Sequence, residues 1–114
     1  MSMLKVTHDK AAITRKVQAA ADKSVRVVTE QVVKDSNYYC RQDQGTLIAS
    51  SQTASDYAKG LAVWDTPYAK RVYYTGVPSK DVNQNASLQW CEKARSAHQN
   101  DWREMAQKAL REGL

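Results

Sequence analysis

The stretch AVWDTPYAKRVYY, residues 62–74, decides the fold that we predict, because the backbone changes from strand to helix at Pro67. Proline fixes φ near the helical value, and the first helical position does not need the N–H that proline lacks. Asp65 or Thr66 followed by Pro67 is therefore a strong signal for a helix start. We expect a short helix that ends before Gly76.

Side chains on this short helix divide into two faces. Helical spacing places Tyr68 and Val72 inward, with Lys70 and Arg71 outward. The positions that stay open to a partner contact are Lys70, Arg71, Tyr73 and Tyr74.

The residues before this helix predict a β-hairpin. Residues 46–55 are small and hydroxylated, which fits a helical turn followed by a strand. Residues 56–60 then form the connection, and residues 61–65 form the return strand, with Trp64 on the face opposite its neighbours. Two short strands are marginally stable alone, so we expect a long helix to cover them.

The first long helix is predicted over residues 7–39, with Thr7 or Asp9 as its N-cap. Its second half is rich in valine, which has modest helix propensity because β-branching restricts χ1. That half must be held by tertiary or intersubunit packing, and Val25, Val28 and Val32 are candidate interface residues. The apolar stripe is Ile13, Val17, Ala21, Val25 (or Ser24), Val28 and Val32.

The last helix is predicted to begin after an N-cap at Asn85 or Ser87 and to reach Arg111. Trp90 and Trp102 are twelve residues apart, so they lie about 120° from each other on the helix. One of these two candidate interface residues therefore points at a partner. The inward stripe is Leu88, Cys91, Ala94, His98, Trp102, Met105 and Ala109.

Together these elements predict an α+β fold with one domain over residues 1–114 and a flexible segment at residues 1–8. A long N-terminal helix and a C-terminal helix pack on a small antiparallel hairpin, with a short helix after Pro67. At 114 residues the chain has room for one small core.

Composition narrows the function classes. The chain has a net charge of +5 and no phenylalanine, and tryptophan and tyrosine carry its aromatic surface. No apolar run approaches the roughly 20 residues of a membrane span, so no membrane contact is expected. The N-terminus lacks the apolar region of a secretory signal, which indicates the cytoplasm of the producing cell.

The residues with reactive side chains do not predict an enzyme. Cys40 and Cys91 show no CxxC spacing, and we expect two buried or half-buried thiols, with no metal and no cofactor. Cys91, His98 and Asp101 suggest a nucleophilic site. However, Cys91 and His98 are two turns apart, about 10 Å, which is too far for a hydrogen bond between them. We interpret His98 as a half-buried structural residue.

A nucleic-acid contact is the alternative from another class. Lys70 and Arg71 could meet phosphates while Tyr73 and Tyr74 stack on bases, which describes a small basic nucleic-acid-binding module. The simpler interpretation is an amphipathic helix with packed tyrosines and solvated cations.

Three short motifs, in this order, resemble a known family. They are Gly45-Thr46-Leu47, then Thr66-Pro67-Tyr68-Ala69 with its aromatic continuation, then Trp90 four residues before Ala94. From Gly45 onward the chain resembles the minor capsid or tail-completion proteins of tailed bacteriophages, which join head to tail.

The resemblance implies a structural protein of the virion neck, present in the host cytoplasm during assembly, with no catalytic residues. It implies a homo-oligomeric ring, six-fold, between portal-side connector or stopper proteins and the tail terminator or tail-tube proteins. Viral DNA would pass through such a ring. Ring assembly requires heterologous interfaces that close by rotation.

Overall fold

The computed structural model describes residues 10–41, 45–80 and 83–114. The predicted N-caps Thr7 and Asp9, and the predicted flexible segment at residues 1–8, lie outside the described residues. The helices in the described part are α1 (Lys10–Tyr38), α2 (Thr46–Ala54), α3 (Ala69–Tyr74) and α4 (Trp90–Gly113).

Helices α1 and α4 form a long antiparallel pair. The Ser24 hydroxyl donates to the Ala106 carbonyl at 2.9 Å, and the Trp102 indole N–H donates to an Asp35 carboxylate oxygen at 2.7 Å. Residue numbers rise along α1 as they fall along α4, so the helices run in opposite directions. The molecule is elongated, with a radius of gyration of 19.4 Å, against about 13 Å for a compact domain of similar length.

The end of α4 lies against the middle of α1. A Cβ atom added to Gly113 would lie 2.6 Å from the Ala20 Cβ atom, so only glycine permits this approach. Residues 10–19 of α1 extend beyond this contact and are all exposed. We call residues 10–19 the arm.

The buried face of α1 differs from the predicted stripe. The predicted Ile13, Val17 and Val25 are 51%, 47% and 40% exposed. Small and hydroxylated side chains allow the neighbouring elements to approach closely, and hydropathy alone does not mark such positions as core. The buried residues of α1 are Ala20, Thr29, Val33 and Ser36.

The main core lies at the end of the molecule opposite the arm. Four buried residues from different segments meet there: Cys40, Leu47, Ala69 and Trp90. Partly buried aromatic side chains surround them, including Trp64, Tyr68 and Tyr73. We call this group of seven residues the head cluster.

The predicted first strand of the hairpin is wrong, because residues 46–54 form helix α2. Helical spacing places Leu47 and Ser51 together on the face that packs inward, and both are buried. The Asn37 amide donates to the Ser51 hydroxyl at 2.9 Å, which ties α2 to α1. Tertiary packing therefore outweighs the weak helix propensity of this segment.

The return strand is also absent. The chain reverses at the predicted place, but Asp56 and Leu61 form only an isolated antiparallel bridge. The next backbone N–H groups bond side chains instead of a strand: Val63 donates to the Ser55 hydroxyl at 2.9 Å, and Asp65 to the Ser50 hydroxyl at 3.1 Å. The predicted α+β class is therefore wrong, and the described residues form a mostly helical fold without a strand or sheet.

Both later helices begin after their predicted starts. Neither Asp65 nor Thr66 caps α3, whose N-cap is Tyr68; the Thr66 carbonyl instead accepts from the Ala69 N–H at 3.1 Å in the preceding turn. Neither Asn85 nor Ser87 caps α4. The chain reaches α4 through Gln89, which adopts a left-handed φ of 49°. The Gln89 N–H donates to the Tyr73 carbonyl at 2.8 Å, so packing against α3 delays the helix start.

Candidate interaction surface

A shallow groove crosses the head cluster beside α3. Its volume is about 280 Å³, and it opens to solvent between the loop before α3 and the start of α4. We call it the aromatic groove. The residues that line it include Trp64, Lys70, Tyr73, Tyr74, Trp90 and Cys91.

Edge-to-face ring contacts hold the wall of the aromatic groove together. The Trp90 ring centroid lies 4.6 Å from that of Tyr73 and 6.0 Å from that of Trp64. Tyr74 continues the row, 4.8 Å from Tyr73. Such pairs contribute about 0.5–1.5 kcal/mol each beyond the area they bury, so the groove has a stiff wall.

The two tryptophans of this wall differ in their polar contacts. The Trp64 indole N–H donates to the Asn37 side-chain oxygen at 2.9 Å. Trp90 is 1% exposed, and its buried indole N–H has no hydrogen-bond partner among residues 10–41, 45–80 and 83–114. Trp90 is therefore held by apolar packing.

Arg41 and Asn83 hold the elements around the groove. The Arg41 guanidinium donates to the Val72 and Thr75 carbonyls at 3.2 and 3.1 Å, which satisfies acceptors at the end of α3. The buried Asn83 amide donates to the Tyr38 and Cys40 carbonyls at 2.8 and 2.9 Å. These contacts fix the end of α1 beside α3 and the start of α4.

Several large apolar side chains near the aromatic groove face solvent. Val77 is 89% exposed and Tyr74 57%, while Leu61 and Val63 are 52% and 36% exposed. We call these four residues the apolar patch. Exposed apolar side chains of this size on α3 and its flanking loops are typical of a protein–protein contact.

The structure places the predicted interface residues in three environments. Lys70, Arg71 and Tyr74 are exposed at the surface, and Tyr73 is half-buried against the core. Val28 and Val32 are half-buried on α1, while Val25 is exposed. Trp90 lies in the core, and Trp102 is half-buried beside Asp35. Only Lys70, Tyr73, Tyr74 and Trp90 of this set come together, at the aromatic groove.

Sequence reasoning missed the apolar patch as a unit, because its members come from two loops and the end of α3. Sequence offered one signal, the adjacent Val77 and Pro78 in a loop otherwise polar. The polar residues around Val77 do not account for an apolar side chain in this loop.

The two thiols are free, one buried and one half-buried, as predicted. Burial, with a smaller contribution from the nearby Cys91, raises the pKa of Cys40 to about 12. Burial also raises the pKa of Cys91. Both groups are therefore protonated near neutral pH, and a thiol is a much weaker nucleophile than a thiolate.

His98 is half-buried, and its Nδ1 atom lies 3.1 Å from an Asp101 carboxylate oxygen. This pair forms on one face of α4, one turn apart, which agrees with a structural histidine. Across residues 10–41, 45–80 and 83–114, no cluster of three or more histidine, cysteine or acidic side chains could hold a metal ion. None of the helices described has both the length and the apolar character to span a bilayer.

Comparison with protein families settles the class. Residues 4–110 match the family model described as minor capsid protein. The chain belongs to this family of bacteriophage minor capsid proteins. The match covers nearly the whole chain and confirms the resemblance that the three motifs indicated. A minor capsid protein is a structural component of the phage virion. Neither the curated proteins nor the solved structures contain a match to this minor capsid protein.

Proposed function

We propose that this minor capsid protein is a structural, non-enzymatic component of the virion neck, where it joins the head connector to the tail as a six-fold ring. Its neighbours would be the portal-side connector or stopper on one side and the tail terminator or tail-tube proteins on the other. Viral DNA would pass through the ring, and assembly would take place in the host cytoplasm.

The apolar patch is the observation that supports this proposal best. Leu61, Val63, Tyr74 and Val77 are large apolar side chains that the end of α3 and the loops on either side of it leave in water. Such a surface is costly for a free protein, and burying it against a partner removes that cost. A neck subunit must make contacts of this kind with the protein above or below it.

Genetic complementation tests this function. A phage lacking this gene is supplied with the wild-type protein or with Tyr74→Ser/Val77→Ser, and particles are counted by electron microscopy and by infectious titre. We expect separate DNA-filled heads and free tails when the protein is missing, and the same defect, at least tenfold in titre, with the double variant. The matched control is Leu110→Ser, an exposed apolar residue on α4.

Joined particles without the protein would overturn the proposal. The nucleic-acid-binding alternative predicts a different result, because exposed Lys70 and Arg71 would then bind duplex DNA with an affinity that falls steeply as salt rises. Lys70→Ala/Arg71→Ala would abolish that binding, whereas a neck protein needs no affinity for free duplex.

A further inference from the structure

The arm presents an apolar face that continues the contact between α1 and α4. Ala20 packs against Gly113, and Ser24 bonds the Ala106 carbonyl. On the same face of α1, Val17 lies three residues before Ala20, and Ile13 lies four residues before Val17. These two side chains therefore extend the face of α1 that contacts α4 beyond the end of α4, and about half of each side chain is exposed.

Charge limits what can cover this face. Residues 10–21 contain Lys10, Arg15 and Lys16 and no carboxylate. The first acidic residue of α1 is Asp22, which accepts a hydrogen bond from the Gln18 amide at 2.8 Å. Pairing two arms with each other would oppose cations to cations, so the arm requires an acidic partner surface.

Nucleic acid and membrane fit the arm less well than protein. A membrane-bound amphipathic helix needs a broad face of large apolar side chains, and this arm has only Ile13 and Val17. A phosphate backbone would meet the lysines but leave those two apolar residues in water. A narrow apolar seam with flanking charges is instead the pattern of helix-to-helix docking.

The molecule itself contains a surface of the complementary kind. A groove of about 470 Å³ runs along one side of the α1–α4 pair. Val27, Met105 and Ala109 supply its apolar surface. We call it the α1–α4 groove, and it is open enough to receive two medium-sized apolar side chains.

The net charge of the α1–α4 groove is opposite in sign to that of the arm. Three carboxylates line it, from Asp101, Glu104 and Glu112, against the ammonium groups of Lys23 and Lys108. The excess is therefore one negative charge.

Apart from Asp101, which lies beside His98, the charged groups of the arm and groove have no ion-pair partner among the described residues. Ion pairs among the described residues are limited to Lys59–Asp56, Arg95–Glu92 and His98–Asp101. The cations of the arm and the two glutamates of the groove are thus available for contacts with another molecule.

We propose that the arm of one copy docks into the α1–α4 groove of a second copy, with Ile13 and Val17 against the apolar surface and the cations of the arm beside Glu104 and Glu112. Because the arm and groove are different surfaces, every copy offers one of each. The contact rests on the self-association that the proposed function requires, and it names the surfaces that make it.

Charge reversal in two separate proteins tests the contact directly. The arm variant is Arg15→Glu/Lys16→Glu, and the groove variant is Glu104→Lys/Glu112→Lys. All four residues are exposed, so the fold should persist in both variants, which circular dichroism checks. Molar mass is measured by light scattering and sedimentation at about 100 µM, well above a micromolar Kd.

We expect the wild type to associate and each variant to lose at least tenfold in affinity. An equal mixture of the two variants should associate again, because an acidic arm then meets a basic groove and a basic arm meets an acidic one. The matched control is Lys34→Glu/Lys93→Glu, two exposed cations elsewhere on α1 and α4, which should associate like the wild type.

Three results would overturn the docking proposal: a wild type that stays monomeric at this concentration, variants that associate like the wild type, or a mixture that does not recover. If the variants still form rings and still complement the phage, the arm contact is wrong and the neck function stands. If the mixture recovers but the gene is not needed to join heads to tails, the neck function is wrong and the contact stands.

Discussion

The two ends of this elongated molecule differ in how much of their surface is buried. In the head cluster, Trp90 is almost completely buried, and side chains from α2, α3 and α4 meet Cys40, which follows the end of α1. In the arm, all ten residues of this part of α1 are exposed, including the apolar Ile13 and Val17. The head cluster stabilises the fold, whereas the arm contributes surface for contacts with other molecules.

This difference has a physical origin. A core forms where several segments can bury surface together, and the head cluster is formed by residues of α2, α3 and α4 and of the loops that connect the helices. The arm is a single helical segment of α1. Its exposed apolar side chains add little to the stability of the helix until a partner covers them. Substitutions should therefore reduce the free energy of unfolding at one end of the molecule and the affinity for partners at the other.

The largest effect is expected from Trp90→Ala. Removing a fully buried indole leaves a cavity and deletes the ring contacts with Tyr73 and Trp64, so we expect a loss of about 3–5 kcal/mol in the free energy of unfolding. Urea denaturation measures it. A loss below about 1 kcal/mol would mean that the head cluster is not the main source of stability.

Asn83→Ala comes next. Its amide donates to the Tyr38 and Cys40 carbonyls, and without it two acceptors near the core lose their partner. We expect a loss of about 2–3 kcal/mol, since unsatisfied buried polar groups keep their full desolvation cost. Asn85→Ala, at an exposed asparagine two residues further on, is the matched control. Equal unfolding midpoints for the two variants would contradict the role of Asn83.

Alkaline pH should destabilise the head cluster specifically. The folded state raises the pKa of Cys40 from 9.0 to about 12, with burial as the main cause. The stabilisation is therefore complete below pH 9 and is lost as pH rises from about 9 to about 12. By pH 10 the loss is about 1 kcal/mol, because each pH unit between the two pKa values changes stability by about 1.4 kcal/mol.

Unfolding midpoints measured between about pH 8 and about pH 10.5 check this dependence, and Cys40→Ala should flatten it. Tyr73 contributes in the same direction, since burial raises its pKa to about 12 from 10.0. The Tyr73→Phe variant therefore distinguishes the contribution of Tyr73 to the pH dependence from that of Cys40. A wild-type midpoint that does not move over this range would refute the assignment.

The smallest effect on stability belongs to the arm. Ile13→Ser/Val17→Ser should change the free energy of unfolding of the monomer by about 0.5 kcal/mol or less, because exposed positions contribute little to the core. Dilute protein isolates the monomer for this denaturation measurement. A loss above about 2 kcal/mol would show that the arm is packed within the monomer after all, and would remove the contrast between the two ends.

The two faces of the short helix beside the candidate site could be predicted from the sequence. Lys70 and Arg71 face solvent as expected, and Tyr68 and Val72 pack inward. The aromatic groove could not be predicted, because it depends on Trp90 from α4 reaching Trp64 from a loop. The apolar patch combines residues that are distant in sequence, and no periodicity links them.

The sequence by itself determined the two long helices, the short helix after Pro67, the buried and half-buried thiols and the family, because each depends on local spacing, composition or motif order. Only the tertiary structure decided that residues 46–54 are helical, since Leu47 packs in the head cluster and Ser51 accepts a hydrogen bond from Asn37, and both contacts depend on residues distant in sequence. It also decided the buried face of α1, where Ala20 and Ser36 are selected by close approach of their neighbours and not by hydrophobicity.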